Sequence, residues 1–182
     1  MAALNGKKVA FLLTNGFEDS ELTSPWEAVT QAGATATLVS PETGTLTGKK
    51  GHEASVDQQV ADADAGEFDA LMLPGGVVNG DKLRMDEDAV AFTKAFFEAG
   101  KPVGVICHGG WILTDADVLR GRTLTSYPSL KTDLRNAGAE WVDEEVVVDQ
   151  GLVSSRTPDD LPAFNAKLVE EIGEGRHERQ TA

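Results

Sequence analysis

Apolar residues in this chain gather in short unbroken blocks more often than they alternate. Val9–Leu13, Ala70–Leu73 and Val103–Ile106 are the clearest, and the β-branched segment Thr35–Ser40 joins them. A short continuous block bounded by turn residues reads as a strand buried on both faces, as in parallel sheets. Asn15-Gly16 turns the block Val9–Leu13 and Pro74-Gly75-Gly76 ends Ala70–Leu73.

Between these blocks the period lengthens. Ala89, Val90, Phe92, Ala95, Phe96 and Ala99 recur at helical spacing, which predicts a helix over 86–100 closed by Gly100. Ser24-Pro25-Trp26-Glu27 supplies an N-cap serine, a proline at the first helical position and a glutamate three after the cap. It predicts a helix ending at Gly33, with Glu18-Asp19-Ser20-Glu21 as an earlier segment electrostatically suited to a helix start. Residues 41–67 are the least regular, with turns around short strands, and 61–68 read as a polar connection or short helix. Further on, the pattern predicts a helix over 112–119, a strand over 123–126 and a helix over 128–137. A hairpin of 140–149 and 152–155 about Gln150-Gly151 and a last helix over 158–172 follow. Residues 173–182 are polar and are expected to fray, which leaves one domain over 4–172.

Strands alternating with helices imply an α/β fold, a mostly parallel sheet with helices on both faces. Ligands in such sheets sit beyond the carboxyl ends of the strands. The Asn15–Glu18 loop, Pro74-Gly75-Gly76 and Cys107 all follow strands at that edge.

A net charge of −14 disfavours nucleic acid and anionic membranes as partners. One cysteine cannot form an internal disulfide, and Val9–Leu13 is too short for a signal core or a membrane span, so a cytoplasmic location is expected. Three histidines and one cysteine, without CxxC or HExxH spacing, are too few for a structural zinc site, and no metal or cofactor is expected.

The candidate chemistry centres on Cys107. A β-branched run stops at it, Gly109 and Gly110 follow His108, and an apolar helical segment comes next. Strand, tight turn, reactive residue and helix make a nucleophile elbow, and a helix N-terminus lowers a thiol pKa. The alternative is a buried packing cysteine. His108 is the nearest base, although adjacent residues on a helix do not face each other. Glu18 reads either as a solvated helix-start acid or as a buried protonated carboxyl that donates to the thiolate. Gly75 and Gly76 are either a plain turn or oxyanion-hole donors together with the amide after the nucleophile. Asp81 stands in a polar loop and alone signals nothing.

Five segments in order resemble the PfpI family, the intracellular-protease-like branch of the ThiJ/PfpI superfamily. They are GFED-x-E at 16–21, LPGG at 73–76, ICHG at 106–109, TSYPSLKTDLRNAGAEWVD at 125–143 and SSRTPDDLPAF at 154–164. The resemblance covers 4–172 and implies a flavodoxin-like three-layer sandwich. It implies Cys107 as nucleophile, His108 beside it, Glu18 as the acid touching the thiol, and Tyr127 near the site with Gly109. It places at Asp81 the acid that orients the histidine from a neighbouring subunit, in a loop one residue longer than the family's, and so implies a homodimer or a hexamer. Gly110 stands where many members have proline.

Two classes of function follow. One is an enzyme in which Cys107 attacks a carbonyl of a small molecule or peptide: a protease or amidase, a glyoxalase or a deglycase. The other is a redox or stress sensor whose lone thiol oxidises to sulfenic and then sulfinic acid. A glutamine-amidotransferase role is disfavoured, because no histidine stands between His108 and the tail.

Overall fold

The computed structural model describes residues 3–178 and 180. The strands are β1 (Lys8–Leu12), β2 (Thr35–Ser40), β3 (Thr45–Thr47), β4 (Glu53–Ser55), β5 (Gln58–Gln59), β6 (Ala70–Leu73), β7 (Val103–Ile106), β8 (Thr123–Leu124), β9 (Glu140–Trp141), β10 (Val147–Asp149) and β11 (Leu152–Ser155). The helices are α1 (Asp19–Gln31), α2 (Val77–Leu83), α3 (Glu87–Glu98), α4 (Trp111–Asp115), α5 (Lys131–Asn136) and α6 (Leu161–Glu174). Seven strands form the main sheet in the order β10-β11-β7-β6-β1-β2-β5, parallel except for β10. The strand order reverses at β1, with β2 on one side and β6 on the other, the flavodoxin-like arrangement.

The unbroken apolar blocks now have a cause. Successive side chains leave opposite faces of a strand. Ala10, Leu12, Leu71, Leu73, Val103 and Val105 join the core beneath α2–α5, while Val9, Phe11, Leu13, Ala70, Met72 and Ile106 join the core beneath α1 and α6. With helices on both faces, neither set can be polar.

Several elements differ from the sequence-based expectation. Helix α1 begins at Asp19 and carries Pro25 inside it, so Ser24-Pro25 is not its start. The polar loop expected around Asp81 is helix α2. Its buried Asn79 fixes it: Oδ1 accepts from Thr14 N at 2.7 Å, and Nδ2 donates to Pro74 O and Gly75 O at 3.0 Å. Residues 45–55 form a separate two-stranded sheet, β3 with β4. The hairpin between β10 and β11 turns at Gln150 (φ 49°) and Gly151 (φ 87°), the left-handed pair that a tight two-residue hairpin requires.

The segment after α6, expected to fray, lies against the sheet. His177 N donates to Gly100 O at 2.8 Å, and Gln180 is buried with Nε2 donating to Lys101 O at 2.8 Å. Residues 179, 181 and 182 of that expectation lie outside the described residues. No helix among the described residues is long and apolar enough to cross a membrane.

Phe164 of α6 is fully buried over Gly104 of β7, where a methyl group would come within 3.1 Å of its ring. Phe164→Ala is expected to lower the unfolding free energy by about 3–5 kcal/mol, read from denaturant titration.

Candidate active site

Cys107 leaves β7 with φ 61°, a left-handed conformation rare outside glycine. Strain of this kind, on the order of 1–3 kcal/mol, persists where the surrounding structure over-determines it. Here the turn Cys107–Gly110 is pressed against the end of β6. A Cβ on Gly109 would stand 2.6 Å from Leu73 O and 2.9 Å from Pro74 O, so only glycine fits. Gly76 (φ 100°) makes a similar close approach, its backbone lying against Gly16 O and Glu18 N from the loop after β1. The three loop ends are thereby drawn together beyond the carboxyl edge of the sheet.

Cys107 is 8% exposed, and its Sγ lies 3.2 Å from His108 Nδ1. The left-handed turn resolves the adjacency problem, because the two residues do not lie on a regular helix. With the thiol proton directed at Nδ1, the ring proton falls on Nε2, which stands 3.3 Å from Ser129 Oγ. Tyr127 stacks on the His108 ring at 4.6 Å and Trp111 meets it edge-on at 5.2 Å. Burial, and then the charge of Lys49, lower the His108 pKa, which keeps the imidazole neutral and able to accept a proton.

The acid beside the thiol is Glu21, not Glu18. Glu21 is fully buried, in the first turn of α1. Its Oε1 accepts from Gly75 N at 2.9 Å, its Oε2 is buried without a hydrogen-bond partner of good geometry, and its carboxyl interacts with the Cys107 thiol. Burial pushes the Glu21 carboxyl up to about 8, with the Glu18 charge adding to the effect. Glu18, also buried, lies at the pocket wall and pairs with Lys50 at 3.1 Å and Lys49 at 3.7 Å. The buried protonated carboxyl expected from the sequence therefore exists one helical turn further on. The signal was present in the spacing: an acid three residues after Glu18, the N-cap of a helix starting at Asp19, points inward, but only once that start is known.

The expected low thiol pKa is also corrected. Burial, followed by repulsion from Glu21, pushes the Cys107 thiol up to about 12. The turn and the five-residue α4 supply little helix dipole. Two backbone N–H groups, those of His108 and Gly76, oppose the rise by pointing at the sulfur. Gly75 N–H is engaged by Glu21, so the donors left for an oxyanion are Gly76 and His108.

Glu18, Glu21, Lys49, Gly76, Cys107, His108 and Tyr127 line one pocket of about 280 Å³ with Val77 and Pro158. A larger depression of about 360 Å³ between Val60 and Lys101 holds no nucleophile. Asp81 is exposed on α2 and does not line the pocket. Among the described residues no carboxylate hydrogen-bonds either ring nitrogen of His108. The sequence reading missed Glu21, Lys49, Ser129 and Asn79.

The sequence matches the DJ-1/PfpI family model over residues 7–171. It is 50% identical over 171 residues to the protein named Protein/nucleic acid deglycase 2 of Escherichia coli, covering 92% of this chain and 98% of that protein. It is 51% identical over 167 residues to General stress protein 18 of Bacillus subtilis, covering 90% and 96%. The crystal structure of a ThiJ/PfpI domain protein from Brachyspira murdochii is similar with a TM-score of 0.88 at 26% identity, over 93% of this chain and 99% of that one.

Glu21→Gln is expected to lower the pH at which the thiol reacts, because the carboxylate repulsion disappears while an amide donor remains. Glu18→Gln should move it far less. Iodoacetamide alkylation rates against pH measure both, and a Glu21→Gln profile equal to wild type would uncouple the two groups. Stability responds as well. The folded pKa of Glu21, about 8, lies above the ordinary carboxyl value of 4.5, so its contribution is full below pH 4.5 and is lost as pH rises through about 8. Glu21→Gln is expected to flatten the fall in Tm across that window.

Proposed function

The chain belongs to the DJ-1/PfpI family, and from that premise we propose that it is a cysteine-dependent stress-response enzyme of deglycase type, acting on small carbonyl adducts. The observation that carries this reading is the arrangement around Cys107: a thiol held at φ 61°, 3.2 Å from a neutral imidazole, with a buried carboxyl alongside. The deglycase name of the Escherichia coli relative supports the substrate class.

In the proposed reaction the carbonyl carbon of the adduct enters the pocket above Cys107. His108 Nδ1 takes the thiol proton as Sγ forms a bond to that carbon, and the carbonyl π pair moves onto oxygen. The N–H groups of His108 and Gly76 stabilise the resulting alkoxide. The C–N bond on the neighbouring carbinol carbon then breaks: the carbinol O–H becomes C=O and gives its proton to the alkoxide, the His108 proton passes to the departing amine nitrogen, and loss of the C–S bond returns the dicarbonyl and the free thiol. Neutral Glu21 matters at the first step, because it adds no second negative charge beside the forming thiolate. Tyr127 holds the imidazole plane by stacking. A second copy of the chain, supplying Asp81 toward His108, completes the site in this reading. Exposed Val77 and Val78 on the same helix support a contact there.

A second reading rests on the same carboxyl. A protonated Glu21 can donate to an oxidised Cys107 sulfur, and the lone cysteine has no resolving partner within the chain. This describes a sensor with little turnover.

The two readings separate in one preparation. The enzyme should release free amine from methylglyoxal adducts, and Cys107→Ser should lose that activity by on the order of a thousandfold or more. Asp81→Asn should slow turnover while leaving thiol alkylation unchanged. Stoichiometric sulfinic acid by intact mass after peroxide, with no amine release by the unoxidised protein, would overturn the enzyme in favour of the sensor.

A further inference from the structure

We propose that Glu171, Glu174 and His177 form a site for a divalent transition-metal ion of the zinc class at the C-terminal end of α6, remote from the Cys107 pocket in sequence and function. One ligand atom from each of the three residues lies within 4.8 Å of the others. His177 Nε2 stands 2.9 Å from Glu171 Oε2 and 3.8 Å from Glu174 Oε2. Two ligands bound to zinc at about 2.0–2.1 Å with a near-tetrahedral angle sit roughly 3.4 Å apart. The observed separations bracket that value, so small side-chain adjustments close the site.

The second observation is the state of the atoms themselves. The Glu171 side chain is 8% exposed, yet its Oε2 makes no hydrogen bond among the described residues, and neither does His177 Nε2. The two atoms approach to 2.9 Å without the geometry of a hydrogen bond. Buried polar atoms are normally satisfied, and a convergent pair left unsatisfied calls for a ligand. A cation bound by both removes the deficit at once.

The surroundings favour a cation and fix its histidine. The last turn of α6 carries Glu170, Glu171 and Glu174 and no basic residue, at the end where the helix carbonyls concentrate negative potential. His177 is seated by its backbone and not by its ring. Its N–H bonds Gly100 O at 2.8 Å and its carbonyl accepts from Gln180 N at 3.0 Å. Two glycines leave room for it: a Cβ on Gly100 would meet His177 O at 2.7 Å, and one on Gly151 would meet His177 Cδ2 at 2.9 Å. One imidazole with two carboxylates suits zinc, manganese or cobalt better than calcium or magnesium. The scarcity of cysteine and histidine that argued against zinc applies to thiolate-rich sites and leaves a mixed site with two carboxylates open. Occupied, the site would tie the segment after α6 to the sheet.

The test uses tag-free full-length protein carrying Cys107→Ser, so that the thiol cannot compete for the ion. Calorimetric titration with zinc chloride should show one ion per chain, and zinc should raise Tm. Adding His177→Gln, or Glu174→Gln at the half-exposed position that tolerates change, should weaken binding on the order of tenfold or more and abolish the Tm shift. Cobalt titration of the same protein should give the intense visible bands of a tetrahedral nitrogen–oxygen site, lost in His177→Gln. No zinc bound by the Cys107→Ser protein would overturn the proposal. So would zinc bound equally by the added variants, or calcium bound as tightly as zinc and indifferent to His177→Gln.

Discussion

Two acids, the Glu21 carboxyl and the Cys107 thiol, are buried side by side where a pair of negative charges cannot be accommodated. That constraint organises the site. Burial drives both groups toward their protonated forms, to about 8 and about 12. Whichever group ionises first makes the other harder to ionise, so the pair holds at most one charge near neutral pH. The backbone is arranged around this single charge. Gly75 N–H serves the carboxyl, and the N–H groups of Gly76 and His108 serve the sulfur. The neutral imidazole, kept so by its own burial, is the nearest place for the proton to go.

The sheet explains how groups so far apart in sequence meet. Reversal of strand order at β1 opens a crevice at the carboxyl edge, and loops after β1, β6 and β7 all end there. Close approach is secured by missing side chains at Gly76 and Gly109 and by Asn79, which bonds the loops after β1 and β6 simultaneously. The left-handed Cys107 follows from this crowding. Its strain is balanced by packing that depends on the whole sheet, not by anything local to the turn.

The parallel strands were legible because burial on both faces demands apolar residues at every position, and Val9–Leu13 and Val103–Ile106 meet that demand plainly. Helix α3 was legible for the complementary reason, a clear apolar stripe with a capping Asp86 that accepts from Ala89 N. Helix α2 was not, because Val77, Val78 and Gly80 are poor helix formers and the tertiary bonds of Asn79 hold it. Ser24-Pro25 misled for a similar reason: a strong local start signal sits inside a helix that packing begins earlier. From that start follows the confusion of Glu18 with Glu21, since which acid points inward depends on helical phase. The thiol pKa went astray on a quantity that sequence does not carry, the length of helix behind the turn set against the depth of burial. Cys107 and His108 themselves stood out because a lone cysteine beside two glycines at a strand end is a local pattern.

The outer strands of the sheet carry a consequence of their own. β5 has two residues and β10 three, and β10 runs against the rest. The ladders therefore end on short, discordant rails, one of them braced by Arg122 bonded to Asp149 and Gln180. A partly unfolded neighbour finds too few free backbone groups there to zip onto. The native molecule is thus a poor seed for cross-β aggregation.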